Sequence, residues 1–430
     1  MRPAKTLLLG LAAAAGLLAG QTRADTLAVV HAKAVLGADA KPLEEVVIVV
    51  EDGRIVAAGV GLAIPTGAQV VDAKGRLVTP GLMNAGTQLG LVEISAIADT
   101  SDSAVASGPL GAAFDVQYAL NANSVLLAQA RADGLTRAGT YPGGSPSAPF
   151  AGQAAALRLS EGPDILDRPK ALMFAQFGGM TAAKAGGSRS AQWILLRNAL
   201  DEARQYAKAG KSPSPRDQLL NHLDIEALQP VIAGRMPLAL MASRESDIGQ
   251  AIRLADDYAV KVVIFGGQEA WRLAPQLAAH GIAVVINPFD DLPATFDEMG
   301  ARLDNAALLD KAGVAIAFSV PGIHFSHDAG EAVREAAGLA VANGLPWSSA
   351  LKALTVNPAA IWGVQDHYGA IAPGKDADLV VWDGDPLEPA SAPVLVMVRG
   401  RQVSLETRQS ALAARYAPSR RSNALPPGYP

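Results

Sequence analysis

The sequence contains no cysteine. A chain without cysteine forms no disulfide, has no thiolate nucleophile and builds no cysteine-based zinc site. Basic runs and long blocks of one charge are also absent, and the net charge is −5 at pH 7. A mildly acidic chain of this kind offers no surface suited to nucleic acid, so we expect no nucleic-acid partner.

Only the N-terminus has a long uncharged apolar run, over residues 7–20. Arg2 and Lys5 precede this run and the small residue Ala24 follows it, which is the three-part pattern of a secretory signal. The run is too short to span a bilayer. Gln21 stands where a lipoprotein would need cysteine. We therefore expect residues 1–24 to be a signal peptide cleaved after Ala24, giving a periplasmic or secreted protein without a membrane anchor.

Both ends of the remaining chain are rich in β-formers. Near the N-terminus, "EEVVIVVEDGRIVAAG" places two strand-like runs around Asp52-Gly53, a pair typical of a tight hairpin turn. Near the C-terminus, "ADLVVWDGDP" and "VLVMVRGRQV" show the same texture. These segments predict one small β-sandwich built from residues 25–81 and 367–405.

The middle of the chain alternates short β-branched runs with stretches of helical period, which indicates βα units in an α/β protein. Eight strands are predicted, at 82–88, 135–141, 154–159, 171–177, 238–242, 262–265, 283–287 and 314–319. Eight such units favour a closed (β/α)8 TIM barrel over residues 82–366. Helices are predicted at 191–209, 247–258, 271–280 and 331–343, and Asn357-Pro358 as an N-cap and first helical residue. The tail, 406–430, has little apolar content and is predicted to be disordered at its end.

Four stretches resemble the amidohydrolase superfamily, and within it the imidazolonepropionase-like branch. They are "VVDAKGRLVTPGLMNAGTQLGL", "NANSVLLAQARADGLTRAG", "EAAGLAVANGLPWSSALKALTVNPAAIWGV" and "GAIAPGKDADLVVWDGDPL". The resemblance extends over most of residues 26–405. It implies a metal-dependent barrel with a β-sandwich from the two chain ends, and hydrolysis of carbon–nitrogen bonds other than peptide bonds.

The resemblance also implies where metal ligands belong, and those positions have changed. The His-x-His of the first barrel strand aligns with Gly86 and Gln88, and a fifth-strand histidine aligns with Met241. The sixth-strand histidine aligns with Gly266, and the eighth-strand aspartate, which serves as general base, aligns with Val320. Zinc needs imidazole, thiolate or carboxylate donors. We therefore predict no family-type metal and no cofactor; the alternative is zinc or another divalent metal.

Two histidines keep a rival interpretation open. "GIHFSHDAG" places His324, His327 and Asp328 directly after the eighth strand, where a rebuilt metal or acid–base site is conceivable. The simpler interpretation is a solvated loop leading into the helix near Glu331, with Asp328 near the positive end of that helix. Because His-x-x-His alone is a common pattern, the loop interpretation is favoured.

The sequence thus predicts an exported amidohydrolase-like protein that acts as a non-catalytic binding protein or subunit. Its expected partner is a small-molecule ligand or an intact amidohydrolase paralogue, with the oligomeric state left open. The alternatives are an active hydrolase of cyclic amide type with a site near His324 and His327, or a purely structural subunit. The predicted ligand cleft consists of Gln88, Ser243, Arg244, Gln268, His324 and His327.

Overall fold

The structure is a computed structural model that describes residues 26–37, 41–95, 97–145, 149–209, 219–320 and 328–422. The predicted signal peptide, His324 and His327 lie outside the described residues, as do the last eight residues. Within the described ranges, no helix combines the length and apolar character that crossing a membrane requires.

The described residues form two sheets and the helices around them. The strands are β1 Thr26–Ala34, β2 Leu43–Glu51, β3 Arg54–Val60, β4 Gln69–Asp72, β5 Leu77–Pro80, β6 Leu82–Thr87, β7 Leu135–Thr140, β8 Phe150–Arg158, β9 Leu166–Gln176, β10 Leu238–Ala242, β11 Val262–Gly266, β12 Ala283–Ile286, β13 Ile316–Phe318, β14 Leu379–Trp382, β15 Pro393–Val398 and β16 Arg401–Gln402. The helices are α1 Val125–Ala132, α2 Gly179–Ala182, α3 Arg189–Ala209, α4 His222–Ile232, α5 Glu245–Tyr258, α6 Ala274–Ala279, α7 Asn305–Lys311, α8 Ala329–Ala342, α9 Trp347–Ala353, α10 Val356–Ile361 and α11 Arg408–Ser422.

The two chain ends build one sheet domain, as predicted. Its strand order is β16-β15-β14-β5-β1-β2-β3, with β4 paired to β1. Asp52 and Gly53 connect β2 to β3 with φ values of 48° and 79°. Positive φ at both central residues is the requirement of a type I′ hairpin turn, which explains the Asp-Gly pair.

The middle of the chain forms the barrel, with β6 to β13 adjacent in chain order and β13 in contact with β6. One detail of the prediction is wrong: β8 runs antiparallel to both β7 and β9, whereas every other pair of consecutive barrel strands is parallel. The connections on either side of β8 are fewer than ten residues long, and their described residues hold no helix. Such short connections suit a hairpin and cannot make the parallel crossover.

Most predicted helices occur near their expected bounds, with three differences. The 271–280 segment divides into a 3-10 turn at Ala270–Leu273 followed by α6. Asn357-Pro358 lies inside α10, whose N-cap is Thr355, and Pro358 is tolerated because the first-turn N–H groups have no helical acceptor. The tail forms α11, an exposed helix that the low apolar content did not predict; the tail's end lies outside the described residues.

Two layers of apolar side chains hold the barrel together. The larger cluster lies between the strands and the surrounding helices, and the smaller one fills the barrel interior. Trp362 follows α10 and is fully buried in the interior cluster, where its indole N–H donates to the carbonyl oxygen of Ala85 at 3.0 Å. The barrel is therefore a packed core whose open face is formed by the loops after the strands.

Candidate functional site at the barrel mouth

The predicted site positions meet at one end of the barrel. Gly86 lies near the end of β6, Met241 near the end of β10, Gly266 ends β11, and Val320 follows β13. Because these strands run in one direction, their carboxyl ends share a face, and that face carries the active site in barrel enzymes. These four positions therefore lie at the same end of the barrel, as the predicted order of the strands requires.

Gly86 has no room for a larger side chain. A methyl group built on its Cα would lie 2.9 Å from Ser319 Cβ and 3.3 Å from Phe265 Cε1. Cβ contacts below about 3 Å force a neighbour to move, so an imidazole does not fit there without rearrangement. Ser319 and Phe265 therefore pack closely around Gly86.

Aromatic rings occupy the interior next to this position. Tyr141 stacks on Phe174 with ring centroids 4.8 Å apart and an interplanar angle of 8°. Phe174 contacts Phe265 edge-on, also at 4.8 Å. Tyr141 is buried, and this burial raises the pKa of its phenol well above the usual range. A protonated, packed phenol contributes apolar surface here and is a poor metal ligand.

The donor set at the mouth does not fit the metal that the superfamily implies. Gln88 and Met241 are half-buried, and Val320 is buried with a side chain that holds no donor atom. The described residues contain no group of three His, Cys, Asp or Glu side chains that could hold a metal ion. An amide and a thioether are weak partners for a hard catalytic cation. His324 and His327 lie outside the described residues, so the rebuilt-site alternative stays a prediction.

Three oxygen atoms instead face the position of the sixth-strand histidine. A methyl group built on Gly266 would lie 3.2 Å from Gln268 Oε1 and 3.5 Å from both Ser243 Oγ and the Ala242 carbonyl oxygen. Gln268 is 5% exposed, and its Oε1 has no hydrogen-bond partner within the part of the chain that the structure describes. Two of the predicted cleft residues, Ser243 and Gln268, therefore lie beside Gly266.

Arg244, a predicted ligand contact, forms ion pairs at the rim of the barrel mouth. Its Nε donates to Asp247 Oδ2 at 2.9 Å and lies 3.8 Å from Asp297 Oδ1. Arg189 also pairs with Asp297. These four residues join the loops after β9, β10 and β12, so the charges at the rim are largely neutralised by one another. Arg189 and Asp297 were not predicted, because 108 positions separate them in the sequence.

A buried acid–amide pair was also missed. Asp291, in the loop after β12, is 1% exposed, and its Oδ1 accepts a hydrogen bond from Asn305 Nδ2 at 3.2 Å. Asn305 Nδ2 also donates to the Gly267 carbonyl oxygen at 3.1 Å. Burial is the largest cause that raises the pKa of Asp291 to about 8; the hydrogen bond from Asn305 opposes this shift, and the carboxylates of Asp290 and Asp304 add to it. Because Asp291 lies in a loop, its sequence context does not indicate that its side chain is buried.

Comparisons with known proteins agree with this architecture. Residues 257–403 match the amidohydrolase family model. Amidohydrolase tasK of Hapsidospora irregularis is 47% identical over 57 residues, which cover 13% of this chain and 6% of that relative. The chain thus spans only a small part of the length of this curated relative.

Solved structures match over most of the chain. An amidohydrolase from Thermotoga maritima is 26% identical, with 88% of this chain and 99% of that one covered and a TM-score of 0.77. An adenosine deaminase from Xanthomonas campestris with bound zinc is 20% identical, with coverages of 92% and 98% and a TM-score of 0.50, a likeness that concerns the fold alone. Residues 257–403 thus resemble the amidohydrolase family, and the barrel with its composite sheet domain has the fold of these solved structures.

Proposed function

We propose that this protein is an exported, amidohydrolase-like binding protein that has lost the superfamily's metal centre and keeps a ligand cleft at the barrel mouth. The observation that carries the proposal is the replacement of the ligand positions together with the closure of the structure around Gly86. The replacement of the ligand residues alone does not say whether the surrounding structure still has room for them. Packing of Ser319 and Phe265 against the glycine indicates a mouth adapted to the absence of an imidazole.

Metal analysis of the purified mature protein tests the proposal. We expect well under one equivalent of zinc, iron or manganese per chain, and no hydrolysis of cyclic amides when these metals are added. The Xanthomonas campestris deaminase, purified in parallel, is a suitable positive control because it is described with bound zinc. A stoichiometric metal in this chain, lost on His324→Ala and His327→Ala substitution, would instead establish the hydrolase alternative that the names of its relatives favour.

Export is part of the proposal and has its own test. The basic start, the apolar run and Ala24 support cleavage that leaves Asp25 as the first residue. N-terminal sequencing of the protein from a periplasmic extract should return Asp25. Soluble cytosolic protein that retains Met1 would contradict export but would leave the proposed binding function untested by this experiment.

A subunit role beside an intact amidohydrolase paralogue is the second candidate, and an apolar rim favours it. Leu292, Phe296 and Met299 are 56%, 77% and 66% exposed within the single loop after β12. Exposed apolar side chains grouped in this way often mark protein interfaces. Phe296→Ser with Met299→Ser should then abolish co-purification with the paralogue, whereas Val60→Ser, at an equally exposed site in β3, should not. Unchanged co-purification of the double variant would exclude this rim.

A further inference from the structure

We propose that a cavity between the sheet domain and helix α9 is a second binding site, for a small zwitterion that carries an apolar group, such as an amino acid with an apolar side chain. The cavity has a volume of about 500 Å³, which lies within the range of small-molecule sites. Residues of β1, of the turn before β5, of the loop after β14 and of α9 line it. The proposal does not depend on the function proposed for the barrel mouth.

The cavity lies at the end of the barrel opposite the mouth. Its lining includes Trp382, the last residue of β14, whose ring packs against Gly134. A methyl group built on Gly134 would lie 2.5 Å from Cη2 of this ring. Gly134 directly precedes β7 and therefore marks the amino-terminal end of the barrel strands, whereas the mouth lies at their carboxyl ends. A ligand in this cavity is thus distinct from a ligand at the mouth.

An indole and other apolar groups form part of the lining. Trp347, the first residue of α9, is half-buried and lines the cavity together with Leu77 and Pro42. The indole N–H of Trp347 donates to the two carboxylate oxygens of Asp385 at 3.0 and 2.9 Å, which fixes the orientation of the ring. A partly exposed indole held in this way offers a surface on which the apolar group of a ligand can pack.

Two carboxylates in the loop after β14 supply negative charge. Asp383 and Asp385 both line the cavity. Asp383 Oδ1 accepts the backbone N–H of Ala392 at 2.7 Å, and Asp385 Oδ1 accepts that of Leu387 at 2.9 Å. These bonds hold the carboxylates in place without neutralising them. An ammonium group is therefore the ligand group that suits this side of the cavity.

Two cations supply positive charge from the neighbouring strands. Lys33 of β1 pairs in register with Leu77, and its N–H donates to the carbonyl oxygen of Arg76 at 3.0 Å, so the two cations are neighbours. Lys33 Nζ lies 3.0 Å from Glu44, but both side chains are exposed, and such pairs contribute little. Arg76 has no ion pair within the described part of the chain, and its planar guanidinium suits a carboxylate.

The opposite charges line one cavity without meeting. No ion pair within 4.0 Å joins Asp383 or Asp385 to Lys33 or Arg76 among the described residues. A molecule with both charges can place its ammonium group beside the aspartates and its carboxylate beside Arg76. A ligand with only one charge leaves the other side of the cavity without a partner. Because these side chains are partly exposed and screened by salt, each contact contributes only modestly.

The test compares three probes by ligand-observed NMR titration at pH 6: L-phenylalanine, N-acetyl-L-phenylalanine, which lacks the ammonium group, and L-phenylalaninamide, which lacks the carboxylate. The parent protein should bind L-phenylalanine about tenfold more tightly than either derivative, the effect of one charge-assisted hydrogen bond. Arg76→Gln should abolish the preference over the amide, and Asp383→Asn should abolish the preference over the N-acetyl derivative. Arg235→Gln and Asp366→Asn, at exposed positions outside the cavity, are the matched controls and should retain both preferences.

Equal affinity of the parent for all three probes, or no binding of any, would overturn the site. Preferences that survive in both Arg76→Gln and Asp383→Asn would also overturn it, because L-phenylalanine would then bind elsewhere. Both substituted side chains are exposed, so the variants should fold, and thermal unfolding checks this. The metal content of the protein tests the mouth alone, so the two proposals can fail separately.

Discussion

At the scale of single residues, the sequence predicted which strand ends lie together better than it predicted the contacts of the side chains there. Gly86, Met241 and Gly266 could be placed because strand ends in a βα barrel converge, whatever side chains they carry. The contacts of Arg244 with Asp297 and of Asp291 with Asn305 could not be placed, because they depend on the path that the loop after β12 takes in the folded protein. Asp291 is the clearest example, because its buried environment raises the pKa of its carboxyl group and the sequence does not indicate this burial.

Asp291 makes the stability of the protein depend on pH. The folded-state pKa is about 8, against about 3.9 in an unfolded chain, so the folded state holds one more proton between these values. The free energy of unfolding should therefore fall as the pH rises from about 4 to about 8, by at most about 1.4 kcal/mol per pH unit from this group. Asp291→Asn cannot titrate and should gain stability relative to the parent across this window.

Urea unfolding at several pH values from 5 to 9 measures this difference. Asp99→Asn is the control, because Asp99 is exposed and its profile should run parallel to that of the parent. A constant gap between Asp291→Asn and the parent over the whole range would show that Asp291 is ionised in the folded protein at neutral pH.

At the scale of elements, the positions of the strands were predicted correctly, whereas the direction of β8 was not. The apolar runs located all eight barrel strands, since buried strands read as short β-branched segments. The antiparallel course of β8 depends on its connections, and residues 159–165 are too few for a helical crossover. The length of that connection was therefore the available signal for an antiparallel strand. The 3-10 turn before α6 and the helix α11 gave no comparable pattern.

Gly139 of β7 packs against Trp362, which follows α10, and we predict that a larger residue at this position destabilises the protein. A methyl group on Gly139 would lie 2.1 Å from Cζ2 of the fully buried Trp362, whose N–H is held by Ala85. Overpacking of a rigid indole should lower the free energy of unfolding by about 1–3 kcal/mol in Gly139→Ala. Gly59→Ala in β3 meets only ordinary contact with Leu62 at 3.8 Å and is the control. Equal thermal stability of the two variants would mean that the indole can move aside.

At the scale of the whole molecule, the composite sheet domain followed from the similar texture of the two chain ends, but its attachment to the barrel did not. The attachment centres on Arg137 of β7, whose side chain is fully buried. Its guanidinium lies 2.8 Å from both Asp376 and Asp378, just before β14, and 3.2 Å from Asp167 of β9. No local pattern reveals this network, because its members are up to 241 positions apart and each looks like an ordinary charged residue.

The network predicts that Arg137→Met destabilises the entire protein. The substitution removes the cation shared by three carboxylates whose side chains are no more than 4% exposed. Asp167 keeps Arg158 at 3.4 Å and Asp376 keeps Arg399 at 3.8 Å, whereas Asp378 loses its ion pair. Removing one partner of a buried ion pair typically costs about 3–5 kcal/mol, far more than loss of an exposed pair such as Lys33–Glu44, for which about 0–1 kcal/mol is usual. Lys33→Met is therefore the matched control. Urea unfolding followed by tryptophan fluorescence should show a large loss for Arg137→Met and almost none for Lys33→Met. A small loss for both would mean that the carboxylates accept protons or water in place of the arginine, and that the apolar contacts alone hold the sheet domain to the barrel.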